Sequence, residues 1–263
     1  MSGARTAHID LDPTNPGEVI ACLGFLDLVA ERDPGAMGVF PDAASGGDGR
    51  ARFEVSAGDP GWVDDWSALL RRVEAQGVDF PGERAIAPIR LTGLGVPREL
   101  DWWLEPARTG YSRLKLWAGQ VTSLQLARDV ASALKSPGLD LSTVASLLQQ
   151  SVPMTSTFGF DLRAGWLSLD VGYSPNDIHQ PVERFPVVEL LGAIGLQNFR
   201  PEPTDRWSRR YRYFLWSDPL PASVARAAFA GALEGLEGRH FEFSVRNSGS
   251  FKVFDRSIPV DGA

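Results

Sequence analysis

One stretch of this chain folds as a helix that has almost no polar side to offer water. Between residues 18 and 32 the apolar positions Val19, Ile20, Cys22, Leu23, Phe25, Leu26, Leu28 and Val29 fall nearly all round the helical turn. A helix apolar on every side is covered on every side, so this one is expected deep in a core. Its start is marked. Pro13, Thr14, Asn15, Pro16 and Gly17 form a structural turn out of a short alternating strand at 7–11. In that turn Asn15 is the expected N-cap and Pro16 suits the first helical position. Glu18 puts an acid in the first turn, where the helix dipole favours it. Asp33, Pro34 and Gly35 stop the helix.

Further strands are expected at 37–40 and 50–56, on either side of a loop at 43–49 (AASGGDG). A second helix is expected over 62–75, with Trp62, Trp66, Leu69, Leu70 and Val73 at helical spacing. An extended segment at 86–94 closes a β-α-β-β-α-β order, the ferredoxin-like plan. Beyond it we expect a hairpin of 100–105 and 111–117 and helices at 121–134 and 141–150. Strands at 157–162 and 167–171 follow, then an apolar helix at 185–196. A strand at 210–216, an alanine-rich helix at 222–236 and a closing hairpin of 239–246 and 251–256 complete the chain. The class is therefore α+β: two ferredoxin-like (RRM-like) halves with extra helices, divided as 1–97 and 98–263.

Composition narrows the function. The single cysteine, Cys22, excludes a disulfide framework and a CxxC metal site, and fits a reducing, cytoplasmic setting. His8, His179 and His240 are scattered, and no metal is expected. The first ten residues carry no apolar signal region, and no window is long and apolar enough for a membrane span. The formal charge is −7, from 26 basic and 33 acidic residues. A generic polyanion binder is usually basic, but a mean charge does not exclude a local basic groove.

Catalytic motifs are missing. There is no P-loop, no dinucleotide fingerprint, no HExxH and no GxSxG, so no cofactor is expected. Cys22 reads as a core thiol, since reactive cysteines need an accessible, electropositive site. His8, Asp10 and Asp12 share one face of an expected strand and form the one local candidate for a hydrolytic or metal site. A solvated strand edge is the preferred explanation of them. His179 belongs to a polar turn with Asp177, and His240 to a strand with Phe241 and Phe243.

Basic and aromatic residues cluster. Arg206, Trp207, Arg209, Arg210, Tyr211, Arg212 and Tyr213 put four arginines and three aromatics into eight positions, with Arg200 just upstream. Guanidinium groups bind phosphate in bidentate fashion and aromatic faces stack on unpaired bases. The alternative is a strand with aromatics inward and arginines in water. A second cluster places Tyr111, Arg113 and Lys115 on one strand face, with Arg108 in the turn before them. Arg239, Arg246, Lys252 and Arg256 make a third around the closing hairpin. Trp102 and Trp103 read as a core or interface anchor.

Three collinear segments resemble a CRISPR-associated family of the type I-G (formerly I-U) systems. The first is 12–18 (DPTNPGE) followed by 21–28 (ACLGFLDL), similar to that family's opening "DPTNPG…ACxGLLEL". The second is 159–161 (GFD) with 169–176 (DVGYSPN preceded by Leu169), and the third is 186–201 (PVVELLGAIGLQNFRP). Leu23 stands where the family has a second cysteine and Phe25 where leucine is usual, both apolar exchanges within a helix. The resemblance implies a non-catalytic, large-subunit-like component of a Cascade surveillance complex in antiviral defence. Its implied partners are the other Cascade subunits, CRISPR RNA and target DNA, with cleavage left to a separately recruited helicase-nuclease. Two other readings stay open from the residues: a protein-only scaffold subunit, and a small metal-dependent hydrolase built on His8, Asp10 and Asp12.

Overall fold

The computed structural model describes residues 5–43, 50–59, 61–104, 112–118, 120–164, 182–205, 209–248 and 251–260. The apolar helix is present as α1, Pro16–Arg32, and it is buried along nearly its whole length. The Asn15 side chain accepts from Gly17 N at 3.2 Å and caps it. The second apolar segment forms α4, Pro186–Asn198, also buried on all sides. These two helices pack on each other with backbone against backbone. A methyl group on Gly24 would lie 2.0 Å from Leu191 O, and one on Gly195 would lie 2.3 Å from Ile20 O. Glycine at both positions permits a crossing that no other residue allows.

Small antiparallel sheets surround this pair. The first is ordered β1 (Arg5–Leu11), β3 (Ala51–Ala57), β2 (Met37–Val39), β11 (Leu220–Pro221). A second sheet holds β4 (Glu74–Gly77), β5 (Ile89–Thr92) and β6 (Arg98–Leu100), in that order. β7 (Val152–Met154) pairs with β8 (Val182–Arg184). The last sheet is ordered β13 (Phe251–Phe254), β12 (Gly238–Ser248), β10 (Arg210–Trp216), β9 (Glu202–Pro203), and β14 (Ile258–Val260) also pairs with β12. Helices α2 (Gly61–Arg71), α3 (Ser123–Ala133) and α5 (Ala222–Phe229) complete the regular elements named here. The fold is a mixed α+β structure with one shared core, because β11 joins the sheet of β1 to β3 and α4 packs on α1.

The two expected ferredoxin-like halves are not formed. The order β1-β3-β2 is the one the plan requires. Its fourth strand, expected from 86–94, is instead β5, which pairs with β4 and β6. The place beside β1 is taken by the turn before and within Leu147–Gln149: Asp10 N donates to Ala145 O and Gln149 Nε2 donates to Asp10 O, both at 2.9 Å. In the second half β10 and β12, which lie on either side of α5 in the chain, are direct antiparallel neighbours, whereas the plan keeps strands that a helix joins apart and parallel.

Other expectations change for local reasons. The helix expected to reach residue 75 ends at Arg71, and β4 follows at once. The helix expected over 141–150 is reduced to a 3-10 turn, Leu147–Gln149. Asp140 Oδ1 accepts there from both Ser142 N and Ser142 Oγ, and the backbone does not continue into a helix. The strand expected over 157–162 is not formed, because Glu189 takes its N–H groups. The helix expected over 222–236 stops at Phe229. Gly231 (φ +69) turns it, with Gly231 N donating to Ala228 O and Ala232 N to Ala227 O. That is a Schellman C-terminus. No strand forms over 112–117.

Candidate nucleic-acid interface

The segment 210–216 is a strand along its whole expected length, and its alternation sorts aromatics from arginines. Tyr211 and Tyr213 point inward and are buried. Tyr211 stacks on Phe243 at 5.6 Å and Tyr213 on Phe241 at 5.5 Å. Tyr213 OH donates to Pro13 O at 2.7 Å and makes a second hydrogen bond with Ser257 Oγ at 2.8 Å, so this ring also holds the turn before α1. Burial raises its phenol well above the ordinary value.

Arg210, Arg212 and Phe214 lie on the opposite face of β10. Across the ladder they meet Ser244, Glu242 and His240, and Arg246 is two residues beyond Ser244 on β12. Arg210 and Arg212 approach Glu242 at 3.8 and 3.6 Å. Arg246 is ion-paired with Asp255. Arg209 is exposed, and its Nη1 donates to Asn247 Oδ1 at 2.7 Å. Of these four arginines, Arg209 and Arg210 are exposed and the other two half-buried, on one face and rim of a two-stranded ladder. Arg200 is exposed beyond the end of α4, and Arg206 and Trp207 lie outside the described residues.

The second cluster does not assemble. Arg108 and Tyr111 lie outside the described residues. Lys115, expected on a polar face, is buried instead: its Nζ donates to Trp117 O at 2.7 Å and stands 4.6 Å from the Trp117 ring centre. Burial, then the charge of Lys252, lowers it to about 8. Arg113 is half-buried in the turn before it. The cause is the aromatic cluster of Trp102, Trp103, Trp117, Phe158 and Phe160, which draws residues 112–118 inward. Trp102 and Trp103 are core residues. In the third cluster Arg256 is exposed and donates to Asp12 Oδ2 and Thr14 Oγ1 at 3.0 and 2.7 Å, and Lys252 Nζ donates to Lys115 O.

The three sequence signatures converge on a buried polar knot. Asn15 Nδ2 donates to Glu18 Oε1 and Asp161 Oδ1, at 3.2 and 3.3 Å. Asp12 N donates to Glu18 Oε2 at 2.8 Å. Arg163 pairs with Asp161 at 2.5 Å and Glu18 at 3.1 Å. Glu189, fully buried, accepts from Gly159 N, Phe160 N and Asp161 N at 2.9–3.3 Å. Burial raises Glu18 to about 7, against the pull of Arg163. Burial and then Asp161 raise Glu189 to about 7, against its N–H donors. A methyl group on Gly17 would stand 2.3 Å from Phe160 O, so the first two signatures touch through their backbones. Residues 169–176 lie outside the described residues. Asp161, Arg163 and Glu189 escape a reading of the sequence as a group; the available signal is an acid at 189 inside an otherwise apolar helix.

A cleft of about 270 Å³ opens beside the knot, lined by Asp10, Asp12, Glu18, Arg50, Arg163 and Arg256 among others. His8, Asp10 and Asp12 do not act together in it. β1 ends at Leu11, His8 is exposed, and Asp12 Oδ1 is held by Thr14 N and Thr14 Oγ1. Cys22 is buried, and burial raises its thiol well above the usual value. His240 packs on Phe214 at 4.7 Å, and His179 lies outside the described residues. Among the described residues no group of three or more His, Cys, Asp or Glu could hold a metal ion, and no helix is long and apolar enough to cross a membrane. Compared with known proteins, the chain matches no family model, no curated protein and no solved structure.

Proposed function

We propose that this chain is a non-catalytic subunit of a type I-G-like, RNA-guided surveillance complex, and that it contacts guide RNA or target DNA through the outer face of β10 and β12. The observation that carries the reading is the arginine-bearing ladder. Arg209, Arg210, Arg212 and Arg246 stand on one face and rim, over aromatics that fix the strand from behind. Phosphate oxygens compete well for Arg209, Arg210 and Arg246, because Arg209 is exposed and the pairs of the other two with Glu242 and Asp255 are partly solvated. The signature segments support the family side of the reading as a structural knot, and we read β1-α1-β2-β3 as the remnant of a ferredoxin-like half whose fourth strand has left the sheet. The partners are the other Cascade subunits; a separate helicase-nuclease supplies cleavage, and the chain itself needs no cofactor.

The test is Arg209→Ala, Arg210→Ala and Arg212→Ala together, in the assembled complex. Target binding should weaken, and the slope of log affinity against log salt should fall by about one unit per lost phosphate contact. An unchanged slope in a folded triple variant sinks the reading and favours a protein-only scaffold.

A further inference from the structure

A groove of about 690 Å³ continues the arginine-bearing face at its far end. Its floor is built by two rows across the sheet. In one, Glu202 of β9, Arg212 of β10 and Glu242 of β12 are successive cross-strand partners, so their side chains share a face. In the next, Phe214 lies opposite His240, ring centres 4.7 Å apart. The opposite wall is the loop after α5, which carries Leu233 and is turned by Gly231. Two atoms of the floor residues, Arg212 Nε and His240 Nδ1, are enclosed without a hydrogen-bond partner among the described residues. Both residues line an open space of ligand size.

The charges select the kind of ligand. Glu202 and Glu242 flank Arg212, Glu234 lines the same groove, and these carboxylates disfavour a free phosphate or carboxylate there. A neutral planar molecule with both an acceptor and donors on one edge fits better. Guanine has that edge: O6 accepts beside the donors N1–H and N2–H. A guanidinium donates to the first, and a carboxylate accepts from the other two. Aromatic rings next to this pair supply a stacking surface for an unpaired base. We propose that the groove between β9, β10 and the loop after α5 receives one unpaired guanine of a bound single strand. Arg212 then donates to O6, Glu202 accepts from N1–H and N2–H, and the base packs over Phe214 and His240. This rests on the nucleic-acid reading above and adds to it a base-specific site. Burial, then the charge of Arg212, lowers His240, which favours the neutral imidazole that such packing needs.

The test uses the full chain and uridine oligomers with one central guanine, adenine or cytosine, made as RNA and as DNA. Guanine should be preferred by about tenfold or more, the discrimination expected of a good bidentate contact. The sugar that is bound more tightly identifies the strand, and either supports the proposal. Glu202→Gln should lower affinity for the guanine oligomer to that for adenine; Glu202 is exposed, so the fold is not at stake. A 6-thioguanine at the central position should photo-crosslink to Phe214, His240 or residues 230–236. Equal affinity for all bases, or crosslinks confined to Arg209 and Arg210, overturns the proposal and leaves the arginine face standing. No binding by any oligomer, or by the assembled complex, overturns both.

Discussion

Glu189 is a carboxylate at the centre of the protein whose partners are three consecutive main-chain N–H groups 28 to 30 residues upstream. In the ionised form, above about pH 7, each oxygen acts only as an acceptor. Glu189→Gln turns one oxygen into a donor that faces another N–H, and leaves a buried donor unpaired at about 1–3 kcal/mol. The variant should unfold at correspondingly lower urea with an unchanged m-value; wild-type stability would show that residues 159–161 find other acceptors. Asn15 is the counterpart in the turn. Its side chain caps α1 and bonds both Glu18 and Asp161. Asn15→Ala should therefore cost about 2 kcal/mol, the upper end of the range for a cap. Normal melting combined with failed complex assembly would make this turn an interface instead. The cap is legible in the sequence, because its partner is two residues away. The bond to Asp161, 146 residues distant, carries no local signature.

Elements whose reasons are local can be read from the sequence, and elements whose reasons are tertiary cannot. α1 and α4 announce themselves by apolar positions all round, and β10 by the alternation of Arg210, Tyr211, Arg212 and Tyr213. The segment 157–162 has strand-like residues, but its N–H groups are bound by a helix, and no ladder forms. The stop of α5 has a local signal in Gly231, but the alanine-rich sequence around it obscures that signal and suggests a helix running on to 236. Lys115 misleads because charge suggests exposure, whereas its nitrogen is satisfied by Trp117 O and the adjacent ring. The close crossing of α1 and α4 gives an element-scale prediction. Gly24→Ala places a methyl 2.0 Å from Leu191 O, a backbone atom that cannot rotate away. The helices must separate, at about 3 kcal/mol or more. Gly138→Ala, whose nearest neighbour is Ser136 Oγ at 3.7 Å, should stay within about 0.5 kcal/mol of wild type. Equal denaturation midpoints for the two variants would refute the backbone-on-backbone crossing.

At the scale of the whole molecule, two carboxylates buried in one knot tie stability to pH. Glu18 and Glu189 are each raised to about 7 from an unfolded value near 4.5. A raised acid binds its proton more tightly in the folded state, so it stabilises fully below the unfolded value and loses that contribution as pH rises through about 7. Stability should therefore fall from pH 5 to pH 8, by a few kcal/mol, since each tenfold difference in proton affinity between the folded and unfolded chain is worth about 1.4 kcal/mol. His240 works in the opposite sense: its lowered value removes stability as pH falls below the ordinary histidine value near 6.5, so it blunts the slope there. Lys115, lowered to about 8, is charged across most of the window and adds little slope there. Urea denaturation at pH 5, 6, 7 and 8 measures the profile. In Glu189→Gln the slope should be roughly halved, because one of the two titrating groups is gone. A flat wild-type profile would mean that the three N–H donors to Glu189, and Arg163 beside Glu18, outweigh burial and keep both groups ionised. The knot that joins the signature segments would then be a permanent ion cluster that does not loosen as it loses protons.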